Sequence, residues 1–340
     1  MKQTILIIAV VVTIITNSCK DNGTGPENLE PGRRDYVWTV DTVNVRYGFL
    51  TKLWGDSSDN LWIVGDVDGD ENIWQYKDGK WQTDHIYRNI QAWSIFGFGK
   101  NNVWVSGSAG NIWHFNGTGW NLFTTMNYEE YEKINLLNMW GESSSNIYAV
   151  GDLKNNDGDY KGIILNFDGN DWKNIELPDL RIFFYDIRKD LQSNKYYIHG
   201  YTNDNGVSDT CKIFEFDGKT LKQIYSSTTW ISLENIGKWL YVSSYDGNIY
   251  RIENSKLVLW KNIVDENFGL TICGRNEKDI FIRMEDGIAH FNGYDIEYLY
   301  RFNDTNLSLG TAVLFDDQVY FLCHDFSNNL NLVIKGSLKQ

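Results

Sequence analysis

The sequence predicts an all-β chain folded as a seven-bladed β-propeller of four-stranded antiparallel blades, its ring closed by the N-terminal strand. Three observations lead there. Aromatic residues make up 15% of the 340 residues, with 14 Trp, 20 Tyr and 17 Phe, so strand formers abound while Ala, the strongest helix former, is scarce. A short aliphatic and aromatic unit recurs along the chain at roughly the 40–45-residue period of a propeller blade. Asp-Gly or Asn-Gly stands at a fixed place in most copies, and these dipeptides reach the positive φ of a tight hairpin turn. The chain holds only three Pro, two of them (Pro26 and Pro31) ahead of the repeats, which argues against modules strung on linkers.

The elements follow in order. Met1–Thr4 is a short cationic start, and Ile5 to Ile15 is apolar apart from Thr13. That run is too short for a bilayer, which takes about 20 residues, so residues 1–18 read as an export signal peptide. Ser18-Cys19 resembles the end of a bacterial lipobox; the resemblance implies cleavage before Cys19 and acyl chains on it, each adding roughly 0.8 kcal/mol per buried methylene. An ordinary signal-peptidase cut is the alternative. Lys20-Asp21-Asn22 resembles the surface-export signal of some Gram-negative lipoproteins, implying the outer membrane or cell surface, with the periplasm as the alternative. Residues 19–34 lack apolar periodicity and read as a flexible tether. The propeller is expected over 35–340.

Within it, Leu61-Trp62-Ile63-Val64-Gly65-Asp66 recurs as Val103-Trp104-Val105-Ser106-Gly107-Ser108 and Ile147-Tyr148-Ala149-Val150-Gly151-Asp152, with weaker copies from Tyr196, Leu240, Ile280 and Val319. A second signature follows the anchor, as in Ile73-Trp74-Gln75-Tyr76 and Ile112-Trp113-His114-Phe115, and then a Gly turn with a Trp, as in Asp78-Gly79-Lys80-Trp81 and Asn116-Gly117-Thr118-Gly119-Trp120. Strand A is assigned just before each anchor (Leu53-Trp54-Gly55, Met139-Trp140-Gly141), B at the anchor, C at the second signature and D after the turn. The last copy ends at Asn331 to Leu338 with no strand D, whereas Tyr36 to Asp41 stands alone before the first copy. That strand is predicted to complete the seventh blade and remove its open edge. Six or eight blades are the alternatives if the divergent fourth and seventh copies are misassigned.

The Trp-x-Val-Gly anchor and the Gly-x-Ile-Trp-x-Phe signature resemble bacterial propellers of the broad YVTN, BNR and sialidase-like repeat superfamily. Pro31-Gly32-Arg33-Arg34-Asp35-Tyr36-Val37-Trp38 resembles the domain start of a group of exported bacterial propeller lipoproteins. The resemblance implies an exported, membrane-anchored propeller and specifies architecture, not activity. A glucosyltransferase label carried by some of that group finds no support in these residues, since no βαβ unit with a glycine-rich turn occurs. The sialidase Ser-x-Asp-x-Gly-x-Thr-Trp boxes and arginine triad are not found either.

Lys plus Arg number 31 against 45 Asp plus Glu, for a net charge of -14, which excludes a basic nucleic-acid module. On a propeller the B-to-C and D-to-A connections share one face, usually the binding face. The expected ligand-binding rim there comprises Asp66, Asp152, Tyr128, Tyr131, Tyr160, Tyr201, Tyr245, Glu285 and His324. Asp157, Asp159, Asp204, Asp209, Glu129 and Glu130 are expected beside it, gathering negative charge on that face. Asp66, Asp68, Asp70 and Glu71 alternate in a tight loop and could supply oxygens to Ca²⁺; no other cofactor is expected. The competing reading is that Asp, Asn and Gly occupy these loops because they suit turns and solubility.

His114 and His290 share a strand C register and are expected to be structural, while His85 and His199 have no evident partner. Cys211, Cys273 and Cys323 lack metal spacing, the last two reading as small buried hydrophobes. The expected function is a non-enzymatic, membrane-tethered, monomeric binding or scaffold module for protein, peptide or glycan. The alternative is an extracytoplasmic carbohydrate-active enzyme, of glycosidase or lyase type, with Asp66 and Asp152 as acid and base. A purely structural role is the third reading.

Overall fold

Successive side chains of a strand point to opposite faces of its sheet, so B strands that are apolar at every position need a cover on both faces. The computed structural model describes residues 29–67, 69–202, 210–303 and 306–340. The export signal, Cys19, Asp68, Asp204 and Asp209 lie outside the described residues. From Pro31 to Gln340 the chain forms seven four-stranded antiparallel sheets, each covered on both faces by its neighbours: the expected seven-bladed propeller. Helix among the described residues is confined to a 3₁₀ turn at Ser108–Gly110, and no helix there is long and apolar enough to cross a membrane.

Strands run A to D in chain order within a blade. The A strands, which line the axis, are Gly48–Ser57, Ala92–Gly97, Lys133–Ser143, Phe183–Asp190, Ile231–Ile236, Phe268–Asn276 and Leu307–Leu314. Asp78 (φ 53°) and Gly79 (φ 76°) make the left-handed turn that their dipeptide predicts. Blade 7 combines Leu307–Leu314, Gln318–Asp325 and Leu330–Leu338 with Tyr36–Val43. The N-terminal strand pairs in register from Tyr36 with Leu338 to Val43 with Asn331, as the orphan strand in the sequence predicts.

Apolar side chains are divided among seven clusters, one in each wedge between adjacent blades. Trp62 and Val64 face blade 2 with Ile90, Ala92 and Val105, while Leu61 and Ile63 face blade 7 with Tyr320, Leu322 and Val333. The aromatic anchor packs across the wedge onto the second signature and turn Trp of the next blade. Trp62 lies 4.9 Å from Phe115 and 5.4 Å from Trp120, and Trp104 lies 4.9 Å from Phe167 and 5.8 Å from Trp172. The repeated motifs are thus two halves of one contact, which recurs with rings on both sides between blades 3 and 4, where Tyr148 lies 5.6 Å from Phe216. The anchor glycine serves close approach: a Cβ on Gly107 would meet the Gln91 carbonyl oxygen at 1.7 Å, and one on Gly151 the Asn135 oxygen at 1.8 Å.

Residues before the closing strand also belong to the fold. The Gly32 N–H donates to the Lys278 carbonyl at 2.7 Å. Arg34 donates to the carbonyls of His290 (2.9 Å) and Asp295 (2.8 Å) and pairs with Glu297 at 3.0 Å, and Arg33 donates to the Lys339 carbonyl at 2.7 Å. The tether expected to reach residue 34 therefore gives way to the domain at Pro31, because the paired arginines find carbonyls and carboxylates on blades 6 and 7. These contacts lie on the A-to-B and C-to-D connections of blade 6, the lower face, so the chain enters there. Arg34 also donates to His290 Nδ1 at 3.4 Å; that nitrogen accepts, so Nε2–H faces Asp279 Oδ1 at 2.7 Å. Burial works against the charge on Asp279, but the His290 hydrogen bond and Arg275, 2.7 Å away, hold its carboxyl below the usual range.

Asp279→Ala strands Arg275 in a part-buried site and removes the partner of His290; urea unfolding is expected to show a loss of about 3–5 kcal/mol. Removing residues 31–43 uncovers an edge of blade 7, and size-exclusion chromatography is expected to show association in place of a single species.

Candidate functional site

The upper face carries the B-to-C and D-to-A connections, and beneath it the seven A strands enclose an axial channel of about 540 Å³. Register places one residue of each A strand at the same level. Lys52, Asn138, Asp186 and Ser232 pair with Val64, Val150, His199 and Ser243 at the fourth anchor position, Ser94 pairs with Ser106, and Thr271 and Thr311 precede the third-position pairs Ile272–Ile282 and Ala312–Phe321. This level is polar in all seven blades. Two residues further on, Trp54, Phe96 and Trp140 of blades 1–3 give way to Arg188 and Glu234 in blades 4 and 5, then to Cys273 and Val313. The channel therefore has an aromatic wall and a charged wall.

The charged wall is incompletely matched. The Arg188 guanidinium lies 3.4 Å from Asp186 and 3.8 Å from Glu234 and makes no hydrogen bond among the described residues. Thr51 Oγ1, Asn138 Oδ1, Asp186 Oδ1, Arg188 Nε and Arg283 Nε are buried without a hydrogen-bond partner, and all five residues line the channel. Leaving such an atom unmatched costs about 1–3 kcal/mol. Burial lifts the Glu234 carboxyl to about 6 despite Arg188, raises Asp186 and lowers Lys52. Burial also raises the thiol of Cys273, so this channel residue is a poor nucleophile. No disulfide joins Cys211, Cys273 or Cys323 among the described residues.

Above the channel, aromatic rings of blades 3–5 form a continuous stack. Tyr160 lies on Phe183 at 4.1 Å and 12°, Phe183 on Tyr201 at 6.4 Å and 29°, and Tyr201 on Trp230 at 4.7 Å and 20°. Tyr185 closes on Trp230 edge-to-face at 6.3 Å, and Arg181 stands 4.5 Å over Tyr160. Tyr185 is 43% exposed, Trp230 45% and Tyr245 56%. The Tyr245 N–H donates to the Trp230 carbonyl, which ties it to the end of the stack. A second patch lies where blades 7 and 1 meet, with Phe49 4.8 Å from His324 and His324 4.6 Å from Phe326.

Of the rim residues expected from sequence, Tyr160, Tyr201 and Tyr245 thus come together, and His324 sits in the second patch, buried, with Nδ1 3.3 Å from Asn331. Tyr128 and Tyr131 pair across a turn at the blade 2–3 wedge. Tyr128 bonds Asn174 at 3.1 Å and is pushed up to about 12 by burial, while Lys161 stands 5.0 Å over Tyr131. Glu285 is exposed in the B-to-C turn of blade 6, and Asp66 is half-buried. Asp152 is buried and accepts from Asn135 at 2.9 Å; burial lifts its carboxyl to about 6 against that bond and Lys154. Asp66 and Asp152 stand at matching places in blades 1 and 3, and no hydrogen bond or ion pair joins them.

Of the groups offered for Ca²⁺, Asp68 lies outside the described residues. Asp70 and Glu71 come together with His85, ligand atoms within 4.8 Å of one another, but Arg46 pairs with both carboxylates and its N–H donates to Glu71 at 2.7 Å. His85, which has no evident partner in the sequence, lies 3.5 Å from Asp70. His114 stacks on Trp104 at 4.1 Å, and His290 belongs to the blade 6 clasp. Acidic residues are not gathered on the upper face alone: Asp59, Asp78, Asp168 and Asp217 occupy lower-face connections, where A-to-B and C-to-D turns favour them, and Asp56 and Glu142 the strand A ends that lead into such turns.

Sequence reasoning passed over Lys52, Asp186, Arg188, Glu234 and Arg283 in the channel and Phe183, Tyr185 and Trp230 on the rim. The channel groups of strand A leave a signal, a polar residue two places before the Trp, Phe or charged residue in blades 1–5. The rim aromatics leave none, because Trp230 sits in a connection and Phe183 and Tyr185 at the irregular start of a strand A, places that differ from blade to blade.

No family model and no curated protein matches the chain. Solved structures do. A structure described as YCF48 bound to D1 peptide matches at TM-score 0.61 and 11% identity, covering 92% of this chain and 98% of that one. A catalytically inactive virginiamycin B lyase from Staphylococcus aureus with quinupristin matches at 0.62 and 12%, covering 89% and 100%. The Neurospora crassa Pan2 WD40 domain matches at 0.62 and 11%, covering 92% and 98%. At these identities the likeness shows the propeller fold.

The shifted Asp152 carboxyl fixes a pH signature. Its folded value, about 6 against the ordinary 3.8, means the native state holds the proton more tightly, so this group's contribution falls as pH rises from about 4 to about 6 and is flat above. Asp152→Asn is expected to stabilise the protein by up to about 3 kcal/mol at pH 7 and by little at pH 4, read by urea unfolding at the two pH values.

Proposed function

We propose that the chain is an exported propeller, held to the outer membrane or cell surface by lipid on Cys19, whose upper face binds an extended peptide segment of a partner protein. The observation that carries the peptide reading is the Tyr160–Phe183–Tyr201–Trp230 stack with Tyr185 at its side. Large, rigid rings of this kind give binding energy at low entropic cost. The stacked faces are taken up by one another, which leaves few open ring faces for a sugar to lie on, while Tyr185, Trp230 and Tyr245 stay exposed to side chains and backbone of a partner. Proteins of the same fold carry a peptide in one similar structure and form a WD40 domain in another. The lipid anchor rests on the apolar Ile5–Ile15 run and Ser18-Cys19.

Display of a random peptide library against the full domain, beside a glycan array, tests the reading. Peptides are expected to be selected, and Trp230→Ala or Tyr201→Ala should weaken the best of them by about 2 kcal/mol or more with the thermal midpoint little changed. Selection of glycans alone, or of peptides indifferent to both changes, overturns it. For the anchor, Cys19→Ser is expected to release the protein from the membrane fraction of cells expressing the full chain; retention of the variant in membranes counts against lipidation.

A further inference from the structure

Beyond the rim, the channel itself has the features of a small-molecule site. Its volume of about 540 Å³ falls within the roughly 300–1,000 Å³ usual for such sites. Lys52, Asp186, Arg188 and Glu234 form one electrostatic network, yet no hydrogen bond joins any two of them among the described residues. Among the described residues Lys52 makes no ion pair. Arg188 sits between two carboxylates at distances too long for either to saturate it. Among the same residues Arg283 donates only to the Ser308 hydroxyl, at 3.0 Å. The unmatched atoms include donors, on Arg188 and Arg283, and an acceptor, on Asp186.

The signs decide the ligand class. The four-group network is formally neutral and Arg283 adds one positive charge to the lining, so a simple cation would add to the net charge, while a simple anion would match the donors and leave the Asp186 acceptor unanswered. A molecule carrying both charges matches donors and acceptor together and leaves the sum unchanged. Trp54, Phe96 and Trp140, on the other wall, offer an apolar surface for what lies beside or between those charges.

We propose that the axial channel binds a small zwitterion, a free amino acid or short peptide with both termini free, its carboxylate on Lys52 and Arg188 and its ammonium on Asp186 and Glu234. Arg283 lies among the lining residues of the same channel and supplies a further donor toward a carboxylate. This site is separate from the rim, and its ligand needs no contact with Trp230 or Tyr201.

The test uses the wild-type protein, so it does not depend on a variant folding. Calorimetric titration with a panel of free apolar and aromatic amino acids and their di- and tripeptides is run beside the same peptides acetylated at the amino end or amidated at the carboxyl end. Binding by members with both ends free is expected, with each cap weakening it about tenfold or more, since it leaves a part-buried charge unmatched. Equal binding of capped and free peptides overturns the proposal, as does failure of every panel member to bind. Lys52→Met and Asp186→Asn, checked for a native thermal transition, are expected to lose sensitivity to the carboxyl cap and the amino cap respectively. Unchanged sensitivity in folded variants also overturns it.

Discussion

Packing of each blade against the next is the contact on which everything else in this protein depends. A four-stranded sheet with two apolar faces cannot be stable alone in water; it needs a partner on either side, and that partner needs another. The chain answers by repeating one complementary pair, an aromatic side chain on strand B against a socket on strands C and D of the next blade, lined by rings in the first wedges and by Ile252 and Leu257 where blades 4 and 5 meet. The consequences spread outward from there. Glycine is required where the bulged A strand crosses close to strand B, aromatic residues join the aliphatic ones in each wedge, and the axis is left open because seven wedges do not meet at a point.

How much of this could be read from the sequence depends on whether a residue's role repeats. Trp62, Trp104, Gly107 and Asp78-Gly79 do the same thing in successive copies, so local chemistry and periodicity agree, and the blade count and strand closure follow from them. Gly32, Arg33 and Arg34 appear once and look like solvated linker, because nothing nearby in sequence hints that their partners are Lys278, Asp295 and Lys339. The rim was legible in part: Tyr160, Tyr201 and Tyr245 fall at strand ends where the template puts them, whereas Phe183, Tyr185 and Trp230 acquire meaning only when three blades are brought side by side. The channel charges stood in plain view, but strand A is the least regular of the four, and its bulges break the alternation that would have exposed the polar level.

The two candidate sites divide according to what each part of the ring is free to vary. Wedge positions are held by packing on both sides, leaving the upper connections and the axial edge of strand A as places where a residue can change without loosening the stack. Aromatic rings have accumulated in the first and opposed charges in the second. Both are held by rigid sheets and not by mobile loops alone, which keeps the geometry of a site within the tolerance that recognition demands.

The closing strand has a mechanical meaning as well. The chain joins the ring at its lower face through Gly32 and Arg34, then runs upward as the outermost strand of blade 7. Tension between that entry point and cargo held above would act along the strand axis, loading the ladder from Tyr36 to Val43 in shear. All of its hydrogen bonds would share the force at once, where a strand pulled sideways would give way one bond at a time.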